Sequence, residues 1–531
     1  MKHARHAEML LVLAAAFAMG AAGCSDMSGD ESYVTDGTTY DSASGDSRPA
    51  QDSYPYDSII PEMAPDAPYD STSPDVPPDT AEEADMEEDE VEPNVCDLPV
   101  EEPQIFYLSA DDSNSQASPV VARWMIQSGR TVPWYAVRTY EFLNYYMLAY
   151  EPPAGGRVSV TAQMAPDPDE EALYDLQIGV QGHLLDQADR RPLNVTFSLD
   201  TSGSMSGGPL ERLKAVCRAI AGRLKAGDVV SMVRWNTTQA VLLDSHAVSG
   251  PDDSTLLGVI GDLSSDGSTD LHSGLVAAYD LATRNYSADR LNRVVLISDG
   301  QANVGITDED LIAEHADDEE REAIYLVGVG TGEGYNDTLM DAVTDAGKGA
   351  YVFIDTVEEA EKMFGERFLA NMEIAVMDVQ VQLTLPSILR MEIFYGEEIS
   401  TSPKEVEPQH LAPNDAMIFQ QKIRSCGDLI ETDVIRAVAT YKDPVTRESR
   451  SDAFEAPASN ILENAGSQLL KGRAIVAYAE GLKEIDQEAD REEKGAICLK
   501  ALARVQAAAD ELDDPELRDI ASLLGTYCAM F

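Results

Sequence analysis

The sequence predicts an α/β protein: a doubly wound, mostly parallel sheet, a β-rich accessory domain, and helices at the carboxyl end. Three observations lead there. From about 193 to 370, short apolar runs alternate with amphipathic stretches of helical period. Those apolar runs are nearly continuous, as in strands covered on both faces by crossover helices. Beyond about 372, shorter stretches alternate as strands, and from 459 the helical period returns. At 531 residues the chain is long for one domain of roughly 100–200 residues, so several units are expected. An apolar fraction of 44% and a charged fraction of 25% exclude a wholly disordered chain.

In chain order, residues 1–24 read as an export signal. Lys2 and Arg5 precede the apolar run from Met9 to Met19 and the small residues Gly20-Ala21-Ala22-Gly23. The run is too short to span a bilayer, and no other segment reaches about 18 consecutive apolar residues. Ala21-Ala22-Gly23-Cys24 resembles the bacterial lipobox, although that pattern prefers Leu where Ala21 stands. The resemblance implies that Cys24 is acylated and becomes the new first residue; the alternative is an ordinary cleaved signal with an incidental cysteine. The protein is thus expected in a bacterial cell envelope, lipid-anchored on the periplasmic or cell-surface side of a membrane.

Residues 25–102 are expected to form a disordered acidic tether. They hold 24 acidic side chains against Arg48 alone, and too little apolar surface to offset chain entropy. A coil of that length spans about 50 Å before charge repulsion stretches it. The whole chain carries 95 Asp and Glu against 38 Lys and Arg, a formal charge of −57. That balance repels phosphate backbones and excludes general nucleic-acid binding. Anionic membrane surfaces are equally poor partners, leaving the lipid anchor as the expected membrane contact.

In the central segment the strand candidates are Leu193–Asp200, Val229–Trp235, Val294–Ser298, Ile324–Val329 and Ala350–Ile354. The helix candidates are Pro209–Lys225, Asp270–Arg284, Asp308–Glu320, Asn336–Ala346 and Val357–Ala370. Such sheets bind ligands at the carboxyl ends of their strands. There the first strand runs into Asp200-Thr201-Ser202-Gly203-Ser204. In an extended loop Asp200, Ser202 and Ser204 project the same way, and all three offer oxygen, the ligand of hard cations. Ser298-Asp299-Gly300 ends a second strand and can add a carboxylate at the same edge. Gly267-Ser268-Thr269-Asp270 opens a helix, where Thr269 can add a third hydroxyl. Alternatively, Asp200 and Ser202 only form a turn and cap the next helix.

At these residues the chain resembles the von Willebrand factor type A domain over about 193–370, assigned here as 191–371, with all five positions of its metal-ion-dependent adhesion site matched. The resemblance implies that Ser202, Ser204 and Thr269 ligate Mg²⁺ (or Mn²⁺) directly, with Asp200 and Asp299 holding it through water. Mostly neutral oxygens would leave the ion electrophilic, with a position open to a partner's carboxylate. The flanks extend the likeness. Tyr107–Ser115, Ala122–Gly129 and Tyr140–Tyr146 resemble the amino-terminal region of bacterial YfbK-type lipoproteins with a von Willebrand factor type A domain. Strands Ala375–Leu385, Met417–Ile423 and Asp433–Tyr441, then helices near 459–483, 491–511 and 515–528, resemble their carboxyl-terminal region. The expected order is therefore an accessory region at 103–190, the α/β domain, a β-rich domain at 372–458 and a helical region at 459–531.

Enzymatic readings find less support. Gly328-Val329-Gly330-Thr331-Gly332-Glu333-Gly334 invites dinucleotide binding, but Glu333 and Tyr335 stand where either register needs glycine. No H-E-x-x-H or G-x-S-x-G pattern occurs, and His272 is the lone basic neighbour a Ser202 or Ser204 hydrolase could use. Trp235 and Tyr279 fit core positions. An exported chain permits disulfides. Cys217 falls on a buried helix face, while Cys96, Cys426, Cys498 and Cys528 allow three pairings. A proline-broken hairpin favours Cys498 with Cys528, against Cys426 with either or four free thiols. The function expected is a non-enzymatic, surface-anchored module binding an acidic group on a protein or glycan through its metal. An envelope assembly or scaffolding protein with a structural metal is the alternative, and a metal-assisted hydrolase comes last.

Overall fold

Two kinds of strand sequence sort into two kinds of sheet. In this computed structural model, which describes residues 95–97, 102–111, 114–305, 324–332, 334–347, 349–463 and 466–531, the alternating stretches form antiparallel sheets. The continuous apolar runs form a parallel one. The signal segment with Cys24, nearly all of the tether, and the expected helix Asp308–Glu320 lie outside the described residues.

The amino-terminal region supplies β1 (Gln104–Ser109), β2 (Val158–Pro166) and β3 (Leu173–Gly182). The α/β segment follows with β4 (Leu193–Asp200), β5 (Val229–Trp235), β6 (Gln239–Ala247), β7 (Leu291–Ser298), β8 (Ile324–Gly330) and β9 (Ala350–Phe353). These six lie in the order β6-β5-β4-β7-β8-β9, with β6 antiparallel at the edge. Every residue of β4 and β7 is buried, the polar Asn194, Thr196, Ser198, Asn292 and Arg293 included, as in strands covered on both faces. The chain winds from β4 outward through β5 and β6, then returns to β7 on the other side of β4. The winding therefore reverses between β4 and β7, and a doubly wound sheet opens a ligand crevice at that point.

Covering helices run over Gly208–Arg223, Ser254–Asp262, Leu271–Arg284 and Asp337–Ala346. Their starts are chemically marked. Asp253, Asp270 and Asn336 each accept a backbone N–H of the first turn, satisfying donors the helix itself leaves free. The expected helix Val357–Ala370 is instead broken: α-helical turns at Val357–Glu361 and Phe368–Met372 flank a wider turn at Lys362–Glu366. Glycines in this domain are placed for close approach. A Cβ on Gly328 would sit 2.1 Å from Thr344 Oγ1, so only glycine lets the Asp337–Ala346 helix lie so near β8.

The carboxyl-terminal strands are β10 (Val376–Leu385), β11 (Leu389–Phe394), β12 (Glu398–Ser400), β13 (Gln409–Leu411), β14 (Ala416–Ser425), β15 (Val434–Lys442) and β16 (Ser449–Pro457). They interleave with strands from before the α/β segment. One sheet runs β12-β1-β10-β15-β16, with β13 also on β10, and the other β11-β14-β3-β2. Their inner faces share one core, including Leu176, Ile178, Val381, Leu383, Phe419 and Ala437. The result is an antiparallel sandwich built by both flanks.

Helices Ser467–Gln487, Arg491–Leu512 and Pro515–Cys528 complete the chain and share a hydrophobic core with the α/β domain. Phe142 and Tyr478 meet edge to face at 5.2 Å, and the Tyr527 hydroxyl accepts from the Val132 N–H. Disulfides join Cys498 to Cys528 and Cys96 to Cys426, while Cys217 is a free, fully buried thiol. No helix among the described residues is long and apolar enough to cross a membrane.

Candidate metal centre

The reversal between β4 and β7 sets two strand ends side by side at the carboxyl edge. Leu199 pairs in register with Ile297, so the next residues, Asp200 and Ser298, are neighbours. Ser298 Oγ donates to Asp200 Oδ2 at 2.7 Å, and the Ser202 N–H donates to Asp200 Oδ1 at 2.9 Å. Asp200 is thus held by both oxygens. The loop after it places Ser202 Oγ and Ser204 Oγ 3.1 Å apart. The Ser204 hydroxyl also reaches the Asp299 carboxylate, whose Oδ1 accepts the Gln301 N–H at 3.1 Å.

Thr269 comes from a third loop, and backbone bonds fix it there. The Asp266 N–H donates to Thr201 O, and the Gly203 N–H to Gly267 O, zipping that loop to the one after β4. On its other side Asn303 Oδ1 accepts the Thr269 N–H at 2.9 Å, while the Asn303 and Val304 N–H groups donate to Thr269 O. The structure therefore brings Asp200, Ser202, Ser204, Thr269 and Asp299 to one edge on three mutually bonded loops. Asp200, Ser202, Thr269 and Asp299 are buried, and Ser204 faces outward.

Burial dominates the electrostatics. It pushes the Asp200 carboxyl up to about 6 against the hydrogen bonds of Ser202 and Ser298, and neighbouring Asp299 raises it further. Burial likewise holds Asp299 above the ordinary carboxylate range, against the bonds from Ser204 and Gln301. Two desolvated carboxylates beside three hydroxyls form an all-oxygen donor set that fits a small hard cation. Among the described residues no group of three or more His, Cys, Asp or Glu is arranged to hold a metal. This set has only two carboxylates and offers three hydroxyls beside them. Ser202 and Ser204 bond each other and the two carboxylates.

Three supporting residues went unread in the sequence. Ser298 carried a usable signal: strand register alone sets it beside Asp200. Asn303 lies in a loop that no local pattern marks, while Asn336 was legible as a helix start but not as the residue whose N–H donates to Asp299 O. The glycines of 328–334 serve packing, with Gly330 against the Tyr335 ring. Trp235 and Tyr279 are fully buried core.

A parallel-dominated α/β sheet with an oxygen cluster at its switch point is the arrangement that the resemblance to the von Willebrand factor type A domain implies. Residues 194–366 match the von Willebrand factor type A domain, a protein-interaction and adhesion class of module. The chain is 27% identical over 282 residues to the Escherichia coli (strain K12) protein YfbK, covering 51% of this chain and 48% of that one. It is 22% identical over 251 residues to inter-alpha-trypsin inhibitor heavy chain H1 of Sus scrofa, covering 44% of this chain and 27% of that one. The chain thus spans about half or less of the length of these relatives. Among solved structures, a von Willebrand factor type A protein from Catenulispora acidiphila aligns over 70% of this chain and 91% of its own, at TM-score 0.44 and 14% identity.

Proposed function

We propose that this chain is a non-enzymatic, metal-dependent binding module that captures an acidic group on a protein or glycan partner. One observation carries the reading: Asp200 and Asp299 are both buried and both raised, a pair that a divalent cation would relieve. Ser202, Ser204 and Thr269 would ligate Mg²⁺ (or Mn²⁺) directly, and the two carboxylates would hold its water. Neutral hydroxyl ligands leave such an ion enough charge to attract a partner's carboxylate. Outward-facing Ser204 marks the side from which that partner would approach. Lipidation at Cys24 and the acidic tether would hold the module off a bacterial envelope membrane, and the negative chain would discourage nucleic acid.

Calorimetry on the chelator-treated full chain tests the metal reading. Wild type should take up one Mg²⁺ or Mn²⁺ per chain. Asp200→Ala should abolish uptake, and Thr269→Ala should weaken it less, because water replaces a neutral ligand better than a charge. Equal uptake by wild type and Asp200→Ala would refute the site.

A further inference from the structure

At the opposite, amino-terminal edge of the same sheet, four arginines line one small cavity. Arg191 precedes β4, Arg290 precedes β7, Arg293 lies within β7, and Arg447 comes from the hairpin between β15 and β16. The cavity holds about 70 Å³, and no Asp or Glu is among the described residues that line it. In a chain with 95 acidic side chains against 38 basic ones, such a lining is anomalous.

Among the described residues only Arg191 has a carboxylate partner, Glu373, at 2.7 Å. Arg290 donates to the Leu193 and Gly227 carbonyls. Arg447 Nη1 reaches only the Met377 sulfur, at 2.7 Å, a poor acceptor for a guanidinium. Arg293 is the decisive case. It is 97% buried by its 3% exposure, donates to the Asn292 carbonyl at 3.3 Å, and lies with Cζ 4.9 Å from the Tyr325 ring centroid. Among the described residues it makes no ion pair. A buried cation without a counter-charge is costly, because nothing offsets the hydration it loses. Burial accordingly pushes the Arg293 guanidinium below its ordinary range, with Arg191 adding repulsion and Glu373 only partly offsetting it.

We propose that this cavity is an anion site for a tetrahedral oxyanion, phosphate or sulfate, bound as the free ion or as a terminal monoester. Size excludes a nucleotide, since small-molecule pockets run to roughly 300–1,000 Å³. Shape favours four oxygens over the two of a carboxylate. The arginines line the cavity from the approach to β4, from β7 and its lead-in, and from the β15–β16 hairpin, so an anion with several oxygens can meet more than one of them. Bound there, the anion ties the accessory sandwich to the base of the α/β domain. Its site is independent of the metal centre, at the other end of the strands.

The test uses the full chain in low-salt buffer with chelator, titrated with inorganic phosphate and sulfate and then with glycerol phosphate. Wild type takes up one oxyanion with saturation, and its Tm rises with concentration. Arg447→Ala weakens uptake by roughly tenfold or more, as does Arg293→Met. Arg436→Ala, an exposed arginine on β15, and Asp200→Ala leave it unchanged. Glycerol phosphate binding as tightly as the inorganic ion makes a terminal monoester the ligand, and its exclusion makes the free ion the ligand. The absence of saturable uptake by wild type overturns the proposal. So does equal affinity in wild type and Arg447→Ala, a test that stands even if Arg293→Met fails to fold.

Discussion

The two edges of one parallel sheet bury opposite charges and support them differently. At the carboxyl edge, Asp200 and Asp299 are held by hydroxyls and by three loops bonded to one another through their backbones. The amino edge relies on side chains. There Arg190 and Asp228, both fully buried, form a fork-to-fork pair just before β4 and β5. Arg293, on β7 beside β4, has no such partner among the described residues. A complete pair is structural; an incomplete one at a cavity points to a ligand. Both edges thus contain a charge the fold leaves uncompensated, negative at one end and positive at the other.

Breaking the complete pair should give the largest effect. Asp228 accepts from Arg190, from the Leu193 N–H and from the Lys225 N–H. Asp228→Ala leaves the Arg190 guanidinium buried without a counter-charge and should destabilise by about 3–5 kcal/mol. Removing both partners together, as Arg190→Met with Asp228→Leu, should recover most of that loss. Urea unfolding decides, and a single variant within about 1 kcal/mol of wild type would deny the pair its role.

This contrast also marks what a sequence discloses. The carboxyl edge was legible because its residues sit at strand ends and helix starts, where local rules apply. The expected strands Leu193–Asp200 and Val229–Trp235 coincide with β4 and β5, and Asp270 and Asn336 cap the helices they precede. Elements lacking a local signal were missed. Strand β6 is an edge with no buried residue, and the Ser254–Asp262 helix is short with only two fully buried residues. The interleaving of β1, β2 and β3 with strands beyond β9 depends on pairings that link distant parts of the chain. The arginine cavity is the extreme case. Arg191, Arg290, Arg293 and Arg447 follow no spacing, and only the tertiary fold gathers them.

A smaller effect, of opposite sense, is expected from Asp200→Asn in chelator. Folding raises the Asp200 carboxyl to about 6, above its unfolded value of about 3.9. At neutral pH the charged group therefore opposes folding, and the opposition disappears as pH falls through that interval. Asp200→Asn should stabilise the metal-free chain by roughly 2–3 kcal/mol at pH 7 and hardly at all near pH 4. Saturating Mg²⁺ should reverse the order at pH 7 by stabilising only the wild type. A variant no more stable than wild type in chelator would remove the electrostatic argument for the cation.

The smallest effect tests the other edge and has the opposite pH signature. Asp443 stands at the base of the hairpin that carries Arg447. Burial alone would push its carboxyl up, but the Thr446 and Val445 N–H groups and the Arg157 guanidinium outweigh it and hold it down at about 2. The folded value is below the unfolded one, so this carboxylate stabilises above about pH 4 and ceases to do so as pH falls toward 2. Asp443→Asn keeps an acceptor for the hairpin's N–H groups and loses the charge facing Arg157. Because Arg157 is about one-third exposed, solvent screens that attraction, and a loss of about 1 kcal/mol at pH 7 is expected. Denaturant melts from pH 7 to pH 2 should show the two curves converging on the acid side, where those of Asp200→Asn and wild type also meet but from above. A penalty for Asp443→Asn that grows on acidification would show that the hairpin is held by something other than this charge.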